Sequence, residues 1–223
     1  MAIREARYDA ATDWYVGFAR GWAAEARPFL PGDLSGQQVL EMGCGLGDLS
    51  RHLAGQGAVV TGVDLSANML RHAKDQEAEQ PLAIRYLVGD VATTDWWDGE
   101  RFDGVVCNMA MMDIDDLDGV VATAARVLRP GGWFSFSLLH PCFPGFRSET
   151  SEQLSSWPPD RGYAAEGWWT THGDGVRGRV GANHRMLSTY LNATRRAGFE
   201  LEEFGEPAAP VPRFFIVRCR LCR

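Results

Sequence analysis

No stretch of the 223-residue chain is apolar for long enough to span a bilayer, and Met1-Ala2-Ile3-Arg4-Glu5-Ala6-Arg7 lacks the apolar core of a secretory signal. These absences predict a cytoplasmic protein with no membrane partner. A basic surplus is missing as well. Against 22 Lys and Arg stand 29 Asp and Glu, a formal net charge of −7, and a chain held on nucleic acid by counterion release needs the opposite balance. Nucleic acid is therefore not an expected partner. Cysteine is sparse: Cys44, Cys107, Cys142, Cys219 and Cys222 are odd in number and scattered, which suits a reducing compartment and not a disulfide framework. Cys219-Arg220-Leu221-Cys222 has redox or zinc spacing, but no second pair accompanies it and it closes an apolar strand, so no metal is expected there. There is no internal repeat and no low-complexity tract.

What is present is the material of one globular domain, with 45% hydrophobic residues. It is organised around Val39-Leu40-Glu41-Met42-Gly43-Cys44-Gly45-Leu46-Gly47-Asp48, an apolar run that meets an acid and opens into three glycines at alternate positions. Val39-Leu40 predicts a buried strand, Leu49-Ser50-Arg51-His52-Leu53-Ala54 the continuation of a helix, and the glycines the turn between them. Glycine can take positive φ and lets a ligand approach the backbone; three in one turn exceed what a strand-to-helix connection needs. Downstream, Ala58-Val59-Val60-Thr61-Gly62-Val63 predicts a second apolar strand ending in Asp64, 17 residues beyond Gly47. That offset is close to the roughly 20 residues at which a dinucleotide-binding unit places an acid on a ribose hydroxyl, so an adenosine ligand is implied. The nicotinamide fingerprint G-x-G-x-x-G is not matched, because this turn reads G-x-G-x-G and puts Asp48 where a pyrophosphate would meet the helix.

From residue 38 onward the pattern alternates. Strands are predicted near Val39–Glu41, Val59–Val63, Ile84–Val88, Gly104–Cys107 and Trp133–Leu139, with helices near Asp48–Ala54, Ala67–Gln76 and Leu117–Leu128. Such alternation predicts an α/β, Rossmann-like, doubly wound and mostly parallel sheet, with ligands at the carboxyl ends of its strands. Glu41, Asp64, Asp90 and Asn108 would then point into one crevice. A helix over His184–Ala197 stops at Gly198, and Phe199–Phe204 and Phe214–Cys219 follow as successive strands that must pair antiparallel.

These residues resemble the class I S-adenosylmethionine-dependent methyltransferases, in particular the small-molecule branch. Glu41-Met42-Gly43-Cys44-Gly45-Leu46-Gly47 resembles that family's first motif, and Val63-Asp64-Leu65-Ser66-Ala67-Asn68-Met69-Leu70 its ribose-binding strand end and following helix. Gly89-Asp90-Val91 resembles the adenine-reading segment, and Val127-Leu128-Arg129-Pro130-Gly131-Gly132 the turn before the fifth strand. The resemblance implies a seven-stranded sheet with an antiparallel last strand and S-adenosylmethionine as cofactor. It implies Glu41, Gly43 and Gly45 on the methionine portion, Asp64 on the ribose with Leu65 and Met69 beside it, Asp90 and Val91 on the adenine, and Asn108 with Met109 closing the site.

Two segments flank this core of residues 34–139. Residues 1–33 predict a helical cover, with Trp14, Tyr15, Phe18 and Trp22 at helical spacing until Pro28 and Pro31. Periodicity alone makes this a core-packing helix; the resemblance adds that Tyr8, Trp14 and Tyr15 cover cofactor and substrate. Residues 140–183 form an insertion too aromatic for disorder, predicted either to fold over the crevice or to make a dimer contact or satellite core. The last unit, 184–223, is the final helix and strand pair. Asp113-Ile114-Asp115-Asp116-Leu117-Asp118 could suggest a cation, but acids before a helix are explained by capping and the helix dipole, so no metal is expected.

S-adenosylmethionine carries an already activated methyl group, so the protein mainly has to place a nucleophile and exclude water. His140, at the end of the fifth predicted strand, is the candidate base, with His172 second. The expected acceptor is a small, flat or aromatic metabolite lined by Tyr15, Met109, Met112, Phe143, Phe146, Trp168 and Trp169. Asn108-Met109-Ala110-Met111 lacks the Pro-Pro-aromatic grip of base-methylating enzymes. A monomer or homodimer is expected. The alternatives are a non-catalytic S-adenosylmethionine-binding or scaffold protein, and an NAD(P)-dependent oxidoreductase.

Overall fold

The computed structural model describes residues 6–19, 28–143, 162–170, 175–207 and 212–222. Its centre is strand β1 (Gln38–Met42), whose Val39, Leu40 and Met42 are wholly buried, as a strand covered on both faces requires. From β1 the chain passes through helix α2 (Asp48–Gly55), β2 (Val59–Asp64), α3 (Ala67–Glu79) and β3 (Arg85–Val88), moving outward along one side of the sheet. It then returns to place β4 (Phe102–Asn108) against the free side of β1, and continues through α4 (Leu117–Val127) to β5 (Leu128–Leu139). After α6 (Leu187–Arg196), β8 (Phe199–Gly205) and β9 (Phe214–Leu221) complete a seven-stranded sheet of order β3-β2-β1-β4-β5-β9-β8. Strand β9 runs antiparallel to both of its neighbours; the remaining pairs are parallel. This is the doubly wound, Rossmann-like sheet expected, with its reversal of order between β1 and β4.

Local chemistry sets the element ends. Ser66 caps α3 by accepting the Met69 amide at 3.1 Å, and Asp116 caps α4 through the Gly119 amide at 2.8 Å. The α4 to β5 junction departs from expectation. The helix ends at Val127 and the strand starts at once at Leu128, before Arg129-Pro130-Gly131-Gly132, with an irregular register against β4 between Phe102 and Gly104.

Both flanking segments are less regular than their composition implies. The N-terminal cover is a 3₁₀ turn at Asp9–Ala11 followed by the short helix α1 (Thr12–Phe18), and the expected continuation through Trp22 lies outside the described residues. The insertion contributes β6 (Gly167–Trp169), the one-turn helix α5 (Val176–Arg179) and β7 (Ala182–His184), with β6 and β7 paired as a separate two-stranded sheet. His184 therefore ends a strand and does not open the last helix, which begins three residues later at Leu187. No helix among the described residues is long and apolar enough to cross a membrane, and all five cysteines are free.

Candidate functional site

The strand order reverses beside β1, and there a cavity of about 1410 Å³ opens across the carboxyl ends of β1, β2 and β4. Its floor is the glycine turn. Gly43, Gly45 and Gly47 all take positive φ, at 72°, 52° and 82°, a region that side-chain-bearing residues rarely adopt. The three differ in what surrounds them. A Cβ on Gly43 would sit 2.5 Å from the Ala110 Cβ and one on Gly47 2.3 Å from the Tyr86 hydroxyl, whereas at Gly45 nothing lies within 4 Å. Protein packing thus accounts for Gly43 and Gly47, and of the three only Gly45 would point a Cβ into open space.

The acids converge as the sequence predicts. Asp64 accepts the Gly45 amide on Oδ2 and the Ser66 amide on Oδ1, each at 2.8 Å, which fixes its carboxylate at the end of β2 while lone pairs remain for a ligand. Burial raises its pKa, against the lowering effect of the Ser66 and Gly45 amides. Glu41 is buried, and its carboxylate is hydrogen-bonded by the Ser50 hydroxyl; burial lifts its pKa to about 8, against the Ser50 hydrogen bond, with the nearby Asp64 adding to the rise. Asp48 opens α2 on the cavity wall and is likewise raised by burial. Asp90 lines the cavity while accepting the Ala92 amide at 2.9 Å. Asn108 is held by the Ser137 hydroxyl at 2.6 Å, and the next residue, Met109, takes φ 57°, a strained backbone in the cavity wall.

Of the residues expected to bind cofactor, Tyr8, Glu41, Gly43, Gly45, Asp64, Leu65, Met69, Asp90, Val91, Asn108 and Met109 all line this one cavity. Trp14 does not. It stacks on Phe18 at 4.9 Å beneath the Arg179 guanidinium, and Phe18 and Arg179 are the cavity-facing pair. Among the expected acceptor residues Tyr15, Met112, Trp168 and Trp169 line the cavity; Phe146 and His172 lie outside the described residues.

His140 and Phe143 need correction. His140 is buried off the cavity, its Nδ1 accepting the Cys142 amide at 3.1 Å and its Nε2 at 2.5 Å from Glu206 Oε1, with Phe143 packed on its ring at 5.1 Å. The chain turns at the end of β5, so that Leu139 faces the cavity and the imidazole faces away from it. Both ring nitrogens are committed to structure, and no histidine lines the cavity among the described residues.

Residues the sequence reading passed over complete the walls. Asp9 accepts the Ser66 hydroxyl at 2.5 Å. Arg7 stacks on Trp168 at 3.8 Å and forms a two-point contact with Asp115 at 2.6 and 2.7 Å. Arg177 pairs with Asp113 at 2.5 Å, and Tyr8 donates to the same carboxylate at 2.8 Å. Burial, followed by the Asp113 charge, raises the phenol of Tyr15 to about 12 and that of Tyr8 as well, so both remain neutral hydroxyls near neutral pH. No group of three or more His, Cys, Asp or Glu is placed to hold a metal ion among the described residues, and the acids of 113–118 are spent on capping and ion pairs.

The cavity is chemically mixed. Glu41, Asp48, Asp64 and Asp90 surround the glycine turn, which suits a cationic ligand with sugar hydroxyls and opposes a pyrophosphate. The same cavity is also lined by Tyr15, Phe18, Met112, Leu139, Trp168 and Phe214, with Arg7, Asp113, Asp115, Arg177 and Arg179 among them. Its total volume exceeds the upper end, roughly 1,000 Å³, of single-ligand pockets, leaving room for two ligands side by side.

Residues 40–136, from the glycine turn through β5, match a family model described as a methyltransferase domain. A ubiquinone biosynthesis O-methyltransferase of Coxiella burnetii is 35% identical over 113 residues, covering 51% of this chain and 48% of the relative. One of Bordetella pertussis is 36% identical over 120 residues, 54% of this chain and 48% of the relative. The chain thus spans about half the length of the curated relatives it matches. The crystal structure of an S-adenosylmethionine-dependent methyltransferase from Mesorhizobium loti superposes with a TM-score of 0.69 at 29% identity, covering 95% of this chain and 99% of that one.

Proposed function

We propose that the chain is a class I S-adenosylmethionine-dependent methyltransferase that methylates an O, N or C atom of a small aromatic metabolite. The observation that carries this reading is a single cavity lined both by an acid-rich glycine cradle and by aromatic side chains. The residues present fit the cofactor. Asp64 offers carboxylate lone pairs to ribose hydroxyls, Glu41 an acid to the cationic methionine end, Gly45 an uncovered backbone, and Asp90 with Val91 an edge for adenine. When bound, the cofactor supplies a methyl group already activated on a sulfonium.

The protein's part is then placement. Tyr15, Phe18, Met112 and Trp168 give the cavity apolar and aromatic surface against which a flat acceptor is held. Among the described residues no imidazole lines the wall and both phenols are neutral, so orientation carries the transfer and the bases the wall offers a protonated acceptor are its carboxylates.

The test is incubation of the full chain with methyl-labelled S-adenosylmethionine and a panel of phenols, aryl amines and aromatic acids, followed by mass spectrometry. Label in one aromatic class supports the proposal. Tight cofactor binding with no labelled product across the panel makes the chain a binding protein and contradicts it.

A further inference from the structure

Asp113 lies in the 3₁₀ turn after β4, and two other segments meet on it. Its Oδ2 accepts the Tyr8 hydroxyl from the N-terminal segment at 2.8 Å, and its Oδ1 accepts Arg177 Nη1 from α5 at 2.5 Å. Its main-chain carbonyl accepts Arg7 Nη1 at 3.0 Å. The Asp113 and Arg177 side chains are each only 14% exposed, and Arg177 Nη1 also reaches the Gly181 carbonyl at 2.9 Å. Tyr8 and Arg177, 169 residues apart in the chain, are thereby joined through one carboxylate on the cavity wall.

The arrangement costs more than packing requires. An ion pair this far from water repays its desolvation only when its remaining lone pairs are satisfied, and here Tyr8 satisfies them. Remove the carboxylate and the phenol loses its acceptor while the buried guanidinium loses its counter-ion and keeps only the Gly181 carbonyl of these two contacts. The N-terminal segment is fixed a second time at the next residue, where Asp9 accepts the Ser66 hydroxyl. Arg7, Tyr8 and Asp9 thus tie Ser66 on one wall of the cavity to Asp113 on another, and Asp113 is where that tie meets α5.

We propose that Asp113 is a positioning residue that holds Tyr8 and Arg177 together over the cavity, so that the N-terminal segment and the insertion retain the bound nucleoside as one unit. The inference rests on the cofactor reading above. Asp113 touches no reacting atom in this scheme; it acts through the phenol and the guanidinium.

The test measures release of S-adenosylhomocysteine from the full chain by stopped-flow tryptophan fluorescence, for wild type, Asp113→Asn, Tyr8→Phe and the double variant. Loss of one charge-assisted hydrogen bond predicts release about tenfold faster in either single variant. Because both act through one contact, the double variant is expected to release no more than about twice as fast as the faster single variant. A merely structural carboxylate would lower the melting temperature while leaving the release rate alone, and that result overturns the proposal. So do multiplicative effects in the double variant. If Asp113→Asn fails to fold, Tyr8→Phe decides by itself: wild-type release contradicts the proposal and accelerated release supports it. Failure of wild type to bind S-adenosylhomocysteine at all is a different outcome, which overturns the cofactor reading and this inference with it.

Discussion

The Gly45 amide donates to Oδ2 of Asp64 at 2.8 Å, so the turn after β1 and the acid ending β2 are one rigid unit. The bond has a consequence for the two glycines flanking Cys44. Both line the cavity with positive φ, but Gly43 is backed by Ala110 and Gly45 is not.

Alanine at these two positions should therefore separate stability from binding. Gly43→Ala pays for positive φ and a 2.5 Å clash with Ala110, and should lower stability by about 2 kcal/mol or more. Gly45→Ala pays the conformational cost alone, about 1 kcal/mol, yet places a methyl group on the ligand's side. Urea denaturation and calorimetry on both variants check this. The expected pattern is a larger stability loss at Gly43 and, at Gly45, loss of S-adenosylmethionine affinity out of proportion to the stability change.

Glu41 predicts a pH dependence. Its carboxyl rises from an ordinary 4.5 to about 8, chiefly through burial. Between those values the folded chain keeps a proton that the unfolded chain has released. The stability Glu41 contributes is therefore complete below about pH 4.5 and is lost as pH rises through about 8. Glu41→Gln should flatten the decline of unliganded stability across that window in urea titrations. A cationic ligand favours the ionised carboxylate, so wild-type binding should release a proton and strengthen with pH over the same range. Calorimetry in buffers of differing ionisation enthalpy reads that proton directly.

His140 is predicted to matter for stability and not for transfer. His140→Ala removes the acceptor of the Cys142 amide and the partner of Glu206, a loss of about 1–3 kcal/mol. Thermal denaturation should show it as a fall of several degrees, while turnover of an identified acceptor stays within about twofold. A collapse in turnover with unchanged stability would return the imidazole to the chemistry.

Much of this arrangement can be read in the chain because its signals are local. Val39-Leu40, the alternate glycines and the acid after Val63 each lie within a few residues of the feature they specify, and alternating strands and helices admit few topologies. The carboxyl-end rule then places Glu41, Asp64, Asp90 and Asn108 together without coordinates. What escapes is non-local. Arg177 meets Asp113 across 64 residues and Arg7 meets Asp115 across 108, and neither pair has a spacing signature. His140 escapes for a different reason: its position at the end of β5 is legible, but the direction of its side chain is set by Glu206 and the Cys142 amide. Asp113 shows both effects, since acids before a helix suggest capping, and Asp116 does cap, but Asp113 faces the other way.

The most direct test is titration calorimetry of the full chain and of Asp64→Ala with S-adenosylmethionine and with NAD. The account predicts a single S-adenosylmethionine site in wild type, weakened about tenfold or more by Asp64→Ala, and no heat from NAD. Binding of NAD in preference to S-adenosylmethionine, or undiminished S-adenosylmethionine affinity in Asp64→Ala, would contradict it.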